Sequence, residues 1–236
     1  MFKQELIKRS PIRILEKSIH GGVGKGNLGV FTARKGVGKT ACLVHVAIDK
    51  LLRNQNVLHI SFADDPHHIE NWYRQVFQEV SNRFKLDNAI MIYDEISQKR
   101  LIMHFTQKNG DFDHILDSIN QVESGADFNS KIVIIDGYPF EKIKDDDLKL
   151  WKQFAINHDV AIWFSATLHR HNLQFDQYGI PTPVNQFTEL LSVIIMLEPM
   201  HDYIDMKLLK DHDSNHSGKL RLKLDPKTML ISNHRV

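Results

Sequence analysis

Residues Leu28 to Thr40 read LGVFTARKGVGKT. An apolar run (Leu28, Val30, Phe31) leads into Ala33-Arg34-Lys35-Gly36-Val37-Gly38-Lys39-Thr40. Ala41, Leu43, Val44, Ala47 and Leu51 then recur at helical spacing. That order predicts a strand, a glycine turn and a helix. Strand, turn and helix around Gly-Lys-Thr form the phosphate-binding P-loop pattern. Gly36 and Gly38 let the backbone turn tightly and aim N–H groups at a phosphate, and the helix N-terminus adds partial positive charge. Lys39 is the candidate ligand for the β- and γ-phosphates, and the Thr40 hydroxyl is the candidate for Mg²⁺. Residues 33–41 are thus the expected nucleotide-binding segment: Ala33, Arg34, Lys35, Gly36, Val37, Gly38, Lys39, Thr40 and Ala41. Ala33 stands where the strict pattern has glycine, which a methyl tolerates if the backbone stays out of the left-handed region. A glycine- and lysine-rich surface turn is the bland alternative. It accounts for neither the strand before the loop nor the helix after it.

The second informative stretch is Lys131-Ile132-Val133-Ile134-Ile135-Asp136-Gly137. Four β-branched apolar residues in a row predict a central parallel strand buried on both faces. An aspartate at the end of such a strand can hold Mg²⁺ beside Thr40, as in a Walker B strand. Its bland reading is a cap for the turn through Gly137-Tyr138-Pro139.

The remaining chain alternates helical and strand patterns. Residues 1–19 form an amphipathic lead anchored by Ile12, Ile14 and Leu15, and a glycine-rich turn, His20 to Asn27, follows. Further strands are expected at 57–62, 89–93, 160–167 and 192–197. Leu101 to Phe105 fits a strand or a helical turn. Helices are expected over 39–53, from Asp65-Pro66 to Phe84, from Phe112 to Val122 with a break at Ser124-Gly125-Ala126-Asp127, and after Asp145-Asp146-Asp147. Carboxylates favour a helix start, so that acidic run needs no metal to explain it. Residues 168–187 lack periodicity and read as a mobile loop carrying His169-Arg170-His171, Phe175 and Tyr178. Residues 203–210 and 219–224 alternate as hairpin strands, and 229–231 give a last short strand.

The 236 residues suit a single α/β domain spanning 1–236. Thirty basic and 29 acidic residues leave a net charge of +1, which argues against non-specific nucleic-acid binding as the main activity. The one cysteine, Cys42, excludes an internal disulfide and a cysteine zinc site. No signal-like apolar core opens the chain and no window approaches 18 apolar residues, so the expectation is a cytoplasmic protein without a membrane partner.

The order of parts resembles the RecA-type ATPase core, in the branch with KaiC, RadA and the DnaB-type helicases. The likeness covers roughly residues 12–232. It implies a three-layer fold with a mainly parallel central sheet and a C-terminal antiparallel hairpin. It implies ATP and Mg²⁺ as ligands and a homo-oligomer, either a ring such as a hexamer or a filament. In that family the strand after the P-loop helix ends in one or two catalytic glutamates. Here the matching segment is Ser61-Phe62-Ala63-Asp64-Asp65-Pro66, so the main position is Ala63 and Asp64 is the remaining carboxylate. The family's trans-acting Lys-x-Arg finger corresponds to Lys210-Asp211-His212, followed by Ser214 and His216, so Lys210 is the matching cation. The sensor segment corresponds to the end of the 160–167 strand, with Ser165 and Thr167 as candidates. Both departures imply slow hydrolysis that controls assembly or binding of a protein partner. The alternatives are a nucleotide-binding regulatory module without turnover and a motor acting on single-stranded DNA. The 168–187 loop lacks the basic density of DNA-contacting loops, which argues against the motor.

Overall fold

The computed structural model describes residues 2–106, 111–126, 128–168, 173–214 and 218–233. The lead is two short helices, α1 (Phe2–Arg9) and α2 (Pro11–Ser18), with Leu6, Ile12, Leu15 and Ile19 buried. Strand β1 (Leu28–Arg34) enters the P-loop, and α3 (Lys39–Leu52) leaves it. Next come β2 (Val57–Ser61), α4 (Pro66–Phe84), α5 (Ala89–Ser97), β3 (Arg100–His104), α6 (Phe112–Ala126), β4 (Ile132–Asp136), α7 (Asp145–Asn157) and β5 (Ala161–Leu168). The chain closes with β6 (Leu191–Pro199), β7 (Ile204–Asp211), β8 (Gly218–Leu224) and β9 (Ile231–Asn233).

These strands form one nine-stranded sheet in the order β3-β2-β4-β5-β1-β6-β7-β8-β9. From β3 to β6 the pairing is parallel, and from β6 to β9 it is antiparallel. Two apolar cores cover its faces. One joins the sheet to α1 through α5, by way of Leu43, Ala47, Ile69, Val76 and Ile96. The other joins it to α6 and α7, by way of Ile115, Ile119, Leu148, Trp151 and Phe154. This is the expected three-layer α/β fold. All five residues of β4 are buried, as a β-branched run between helical layers requires. Parallel strands all present their C-terminal ends on one edge, so the P-loop, Ser61 and Asp136 meet there.

Several local expectations are corrected. Ala89 to Tyr93 is helix, within α5, and not a strand. It buries Ile96 but leaves Ile90 and Met91 exposed at 78% and 71%, which a core strand could not do. Short apolar runs do not separate strand from helix by period alone. The sheet position beside β2 belongs instead to β3, so Leu101 to His104 is the strand. Helix α6 runs through Ser124 and Gly125 to Ala126, because a glycine weakens a helix without ending it. The last strand begins at Ile231, and Met229 and Leu230 lie in the turn before it.

Within 168–187, Leu168 belongs to β5, and Phe175 bridges to Pro181. A 3-10 helix spans Val184–Phe187, with Ile180, Val184 and Phe187 buried. His169, Arg170 and His171 lie outside the described residues, as does His216. No helix among the described residues is long and apolar enough to cross a membrane.

Candidate functional site

Ala33 is the last buried residue of β1, and Arg34, Lys35 and Gly36 rise into solvent. Gly36 has φ +81° and Gly38 φ +109°, conformations that side chains rarely adopt. Gly38 is also the N-cap of α3, so no side chain covers the free N–H groups at that helix start. Val37, Thr40 and Ala41 complete the loop, with Ala41 fully buried.

Lys39 folds back over this loop. Its Nζ donates to the carbonyl oxygens of Ala33 and Arg34, both at 3.1 Å. Burial pushes its pKa down to about 8, against the opposing pull of Asp136. The lysine is thus a desolvated cation held by two neutral carbonyls. An anion would satisfy it better.

Beside it lies a chain of hydroxyl and carboxylate groups. Thr40 Oγ1 donates to Asp136 Oδ2 at 2.7 Å, and Ser165 Oγ donates to Asp136 Oδ1 at 2.5 Å. Ser165 in turn accepts from the Gly137 N–H at 2.8 Å. Asp136 is 3% exposed, and its backbone carbonyl accepts from Phe62 N–H. Two hard oxygen donors, a carboxylate and a hydroxyl, therefore sit together at the open helix start. That donor set fits Mg²⁺.

The expected site residues fall in three places. Lys39, Thr40, Asp136 and Ser165 are joined by the contacts above. Thr167 stands half-buried on β5 opposite Ala33, at the same edge. Ser165 is buried with its hydroxyl on Asp136, so it orients that carboxylate directly.

Asp64 follows β2 in a tight turn, its N–H bonded to Ser61 Oγ. Its carboxylate faces His68 Nε2 at 3.8 Å. Asp65 is occupied differently: it caps α4 by accepting from His68 N–H at 3.0 Å. Ala63 is exposed and lies flat against Gly137, where a Cβ would come within 2.6 Å of its own.

Lys210 is at the other end of the sheet, near the β7–β8 turn. It is 8% exposed, and its Nζ donates to the Thr188 carbonyl at 2.5 Å. Asp145 to Asp147 open α7, where Asp147 accepts from Lys144 N–H and Asp146 pairs with Lys149. Gly137 is a site residue that the sequence did not single out. Its Asp-Gly signal was present, and its φ of +72° lets Ala63 approach and its N–H reach Ser165.

A model of the AAA domain family matches residues 3–140, more than half of the chain. The chain belongs to the AAA domain family. The match includes the P-loop, Ala63, Asp64 and Asp136. Among solved structures, the ATPase domain of a DnaB-like helicase aligns over 95% of this chain and 90% of its own, at a TM-score of 0.69 and 17% identity. That likeness establishes a RecA-like ATPase fold across both the matched region and the antiparallel strands beyond it. No curated protein matches the sequence.

Proposed function

We propose that the chain binds ATP with Mg²⁺ at the P-loop and hydrolyses it slowly, at sites shared between subunits of a ring or filament. Nucleotide state would then control assembly or the docking of a protein partner. The observation that carries this reading is the buried Thr40–Asp136–Ser165 chain beneath an uncapped α3, with alanine at position 63. The first part is what a nucleotide site needs, and the second removes its usual water-activating carboxylate.

In this reading Lys39 leaves the Ala33 and Arg34 carbonyls and pairs with the β- and γ-phosphates. The amides of residues 36–41 cradle the phosphates. Thr40 and Asp136 hold Mg²⁺, which neutralises charge on the phosphate oxygens when bound. Asp64 is the nearest carboxylate in sequence to the catalytic position that Ala63 fills, and it orients water. Lys210 serves a neighbouring subunit, and assembly frees it from Thr188. Thr167 reads the γ-phosphate from β5.

Single-turnover hydrolysis of labelled ATP, at low and high protein concentration, tests this. A rate that rises with concentration, disappears in Lys39→Ala and loses its concentration dependence in Lys210→Ala supports a shared site. Ala63→Glu should accelerate it. ATP that stays intact at every concentration favours the second reading, an ATP-gated binding module. Ala63 and the buried Lys210 favour that module. Failure of single-stranded DNA to bind at low salt, or to stimulate release, removes the motor reading.

A further inference from the structure

At the edge of the sheet opposite the P-loop, His20, Asp211 and His212 converge, with one ligand atom from each lying within 4.8 Å of the others. His20 Nδ1 lies 2.6 Å from Asp211 Oδ2, and His212 Nδ1 lies 2.7 Å from Asp211 Oδ1. The carboxylate is nearly buried, its side chain 8% exposed, while the His20 ring is 81% exposed. His20 sits in the turn after α2, and Asp211 ends β7. The backbone holds both sides: Asp211 and Ser214 exchange N–H bonds to each other's carbonyls, and His212 N–H bonds the Ser192 carbonyl at 2.5 Å.

The ring of His212 gives the decisive detail. Its Nε2 lies 3.3 Å from the Val23 carbonyl oxygen. A carbonyl only accepts, so Nε2 carries a hydrogen there. On a neutral ring that leaves Nδ1 bare, facing a carboxylate oxygen that is also only an acceptor. Two lone pairs at that distance repel. A positive charge between them, either a second ring proton or a metal ion, removes the conflict. A backbone carbonyl on the far nitrogen is also the usual support for a metal-bound histidine.

We propose that His20, Asp211 and His212 form a binding site for one divalent transition cation of the zinc class, with a fourth position open to solvent. Two imidazole nitrogens and one carboxylate oxygen suit Zn²⁺ or Co²⁺ better than Mg²⁺ or Ca²⁺. Ligands on one tetrahedral Zn²⁺ stand roughly 3.3 Å apart, given metal–ligand bonds of about 2.0–2.1 Å. The two close pairs must therefore open by about 0.6 Å, and the exposed His20 ring can swing that far. The ion would tie the end of β7 to the turn after α2. This proposal does not depend on the nucleotide reading.

Titration of the whole chain with Co²⁺, followed by visible absorption and displacement by Zn²⁺, tests it. Both histidines sit at positive φ, 51° and 52°, which asparagine tolerates. His20→Asn and His212→Asn thus remove ligands without new backbone strain. The expected result is one Co²⁺ per wild-type chain with tetrahedral bands, displaced by Zn²⁺. His212→Asn should lose it, and His20→Asn should weaken it by more than about tenfold, with far-ultraviolet circular dichroism unchanged. Equal stoichiometry and affinity in both variants would assign the ion to others of the 14 histidines and overturn the proposal. So would a folded wild-type chain that binds neither ion at micromolar concentration, for a ring proton then fills the gap.

Discussion

At the C-terminal edge of the parallel strands, nine consecutive residues, 33–41, supply most of a site, and Asp136 and Ser165 complete it. At the opposite edge, His20 meets Asp211 across 191 residues of sequence, and nothing local marks either. The first edge presents a cation, Lys39, held by neutral carbonyls. The second presents an anion, Asp211, held between two rings. One is built to receive a negative ligand and the other a positive one. The contrast shows that one sheet can carry two charge-selective ends, because strand direction separates them and the apolar cores insulate them.

The sharpest break in the comparison would be Lys39→Ala. It removes the charged group from the first edge alone. ATP affinity should fall by about 3 kcal/mol, roughly 100-fold, the scale of a charge-assisted hydrogen bond removed without replacement. Calorimetric titration reads that directly. Co²⁺ binding at the other edge should not change. If it weakens in parallel, the two ends are not insulated.

The two edges do communicate at one place, and Gly38 marks it. Strand β8 starts at the far edge and ends at the near one, where a Cβ on Gly38 would meet Leu224 Cδ2 at 2.4 Å and Met229 Sδ at 3.5 Å. Gly36 has a similar positive φ but nothing within 4 Å of such a Cβ. Gly38→Ala should therefore destabilise by roughly 2–3 kcal/mol, combining strain with overlap, and Gly36→Ala by about 1 kcal/mol from strain alone. Thermal unfolding of both variants measures the difference. Adding Leu224→Ala to Gly38→Ala should recover the overlap part only. Equal losses in the two single variants would mean that β8 does not brace the loop.

Ser165→Ala tests how far the near edge depends on groups outside its motif. It takes one partner from the buried Asp136 carboxylate and leaves the Gly137 N–H without its acceptor. The expected cost is about 2 kcal/mol in denaturant unfolding. A sensor that touched only nucleotide would leave the free chain's stability unchanged.

These positions show what sequence could and could not reveal. The P-loop was legible because each residue type is demanded by phosphate chemistry and all lie together. Strand β4 was legible because β-branched runs ending in aspartate have few other uses. The Ala89–Tyr93 segment was not, since five apolar residues carry too little period to separate α5 from a strand. The burial of Lys210 on Thr188 was invisible for another reason. A lysine near a hairpin turn reads as solvated until the chain from 184 to 190 folds over it. The His20 cluster is the extreme case: a His-Gly-Gly turn and an Asp-His pair are each ordinary, and only the antiparallel strands bring them together.

Acidity distinguishes the two edges with the smallest perturbation. Burial lowers the Lys39 pKa to about 8, below its ordinary 10.5, so the free chain loses that proton as pH rises through 8. Phosphate favours the charged lysine and raises its pKa in the complex. Below pH 8 the lysine is protonated in both states, and affinity is flat. Above pH 8 binding must take up a proton, and affinity falls by up to tenfold per unit, about 1.4 kcal/mol. The free chain's stability runs the other way. Burying the charged lysine opposes folding at neutral pH, and that opposition is relieved between pH 8 and 10.5. Metal binding at the far edge needs unprotonated imidazoles, so its affinity does not fall as pH rises from about 7 to 9. Fluorescent-nucleotide and Co²⁺ titrations at about pH 7, 8 and 9 should therefore diverge. Lys39→Arg should flatten the nucleotide slope, because arginine does not titrate in this range. A nucleotide affinity that stays level to about pH 9 in the wild-type chain would mean that Lys39 is not the phosphate cation.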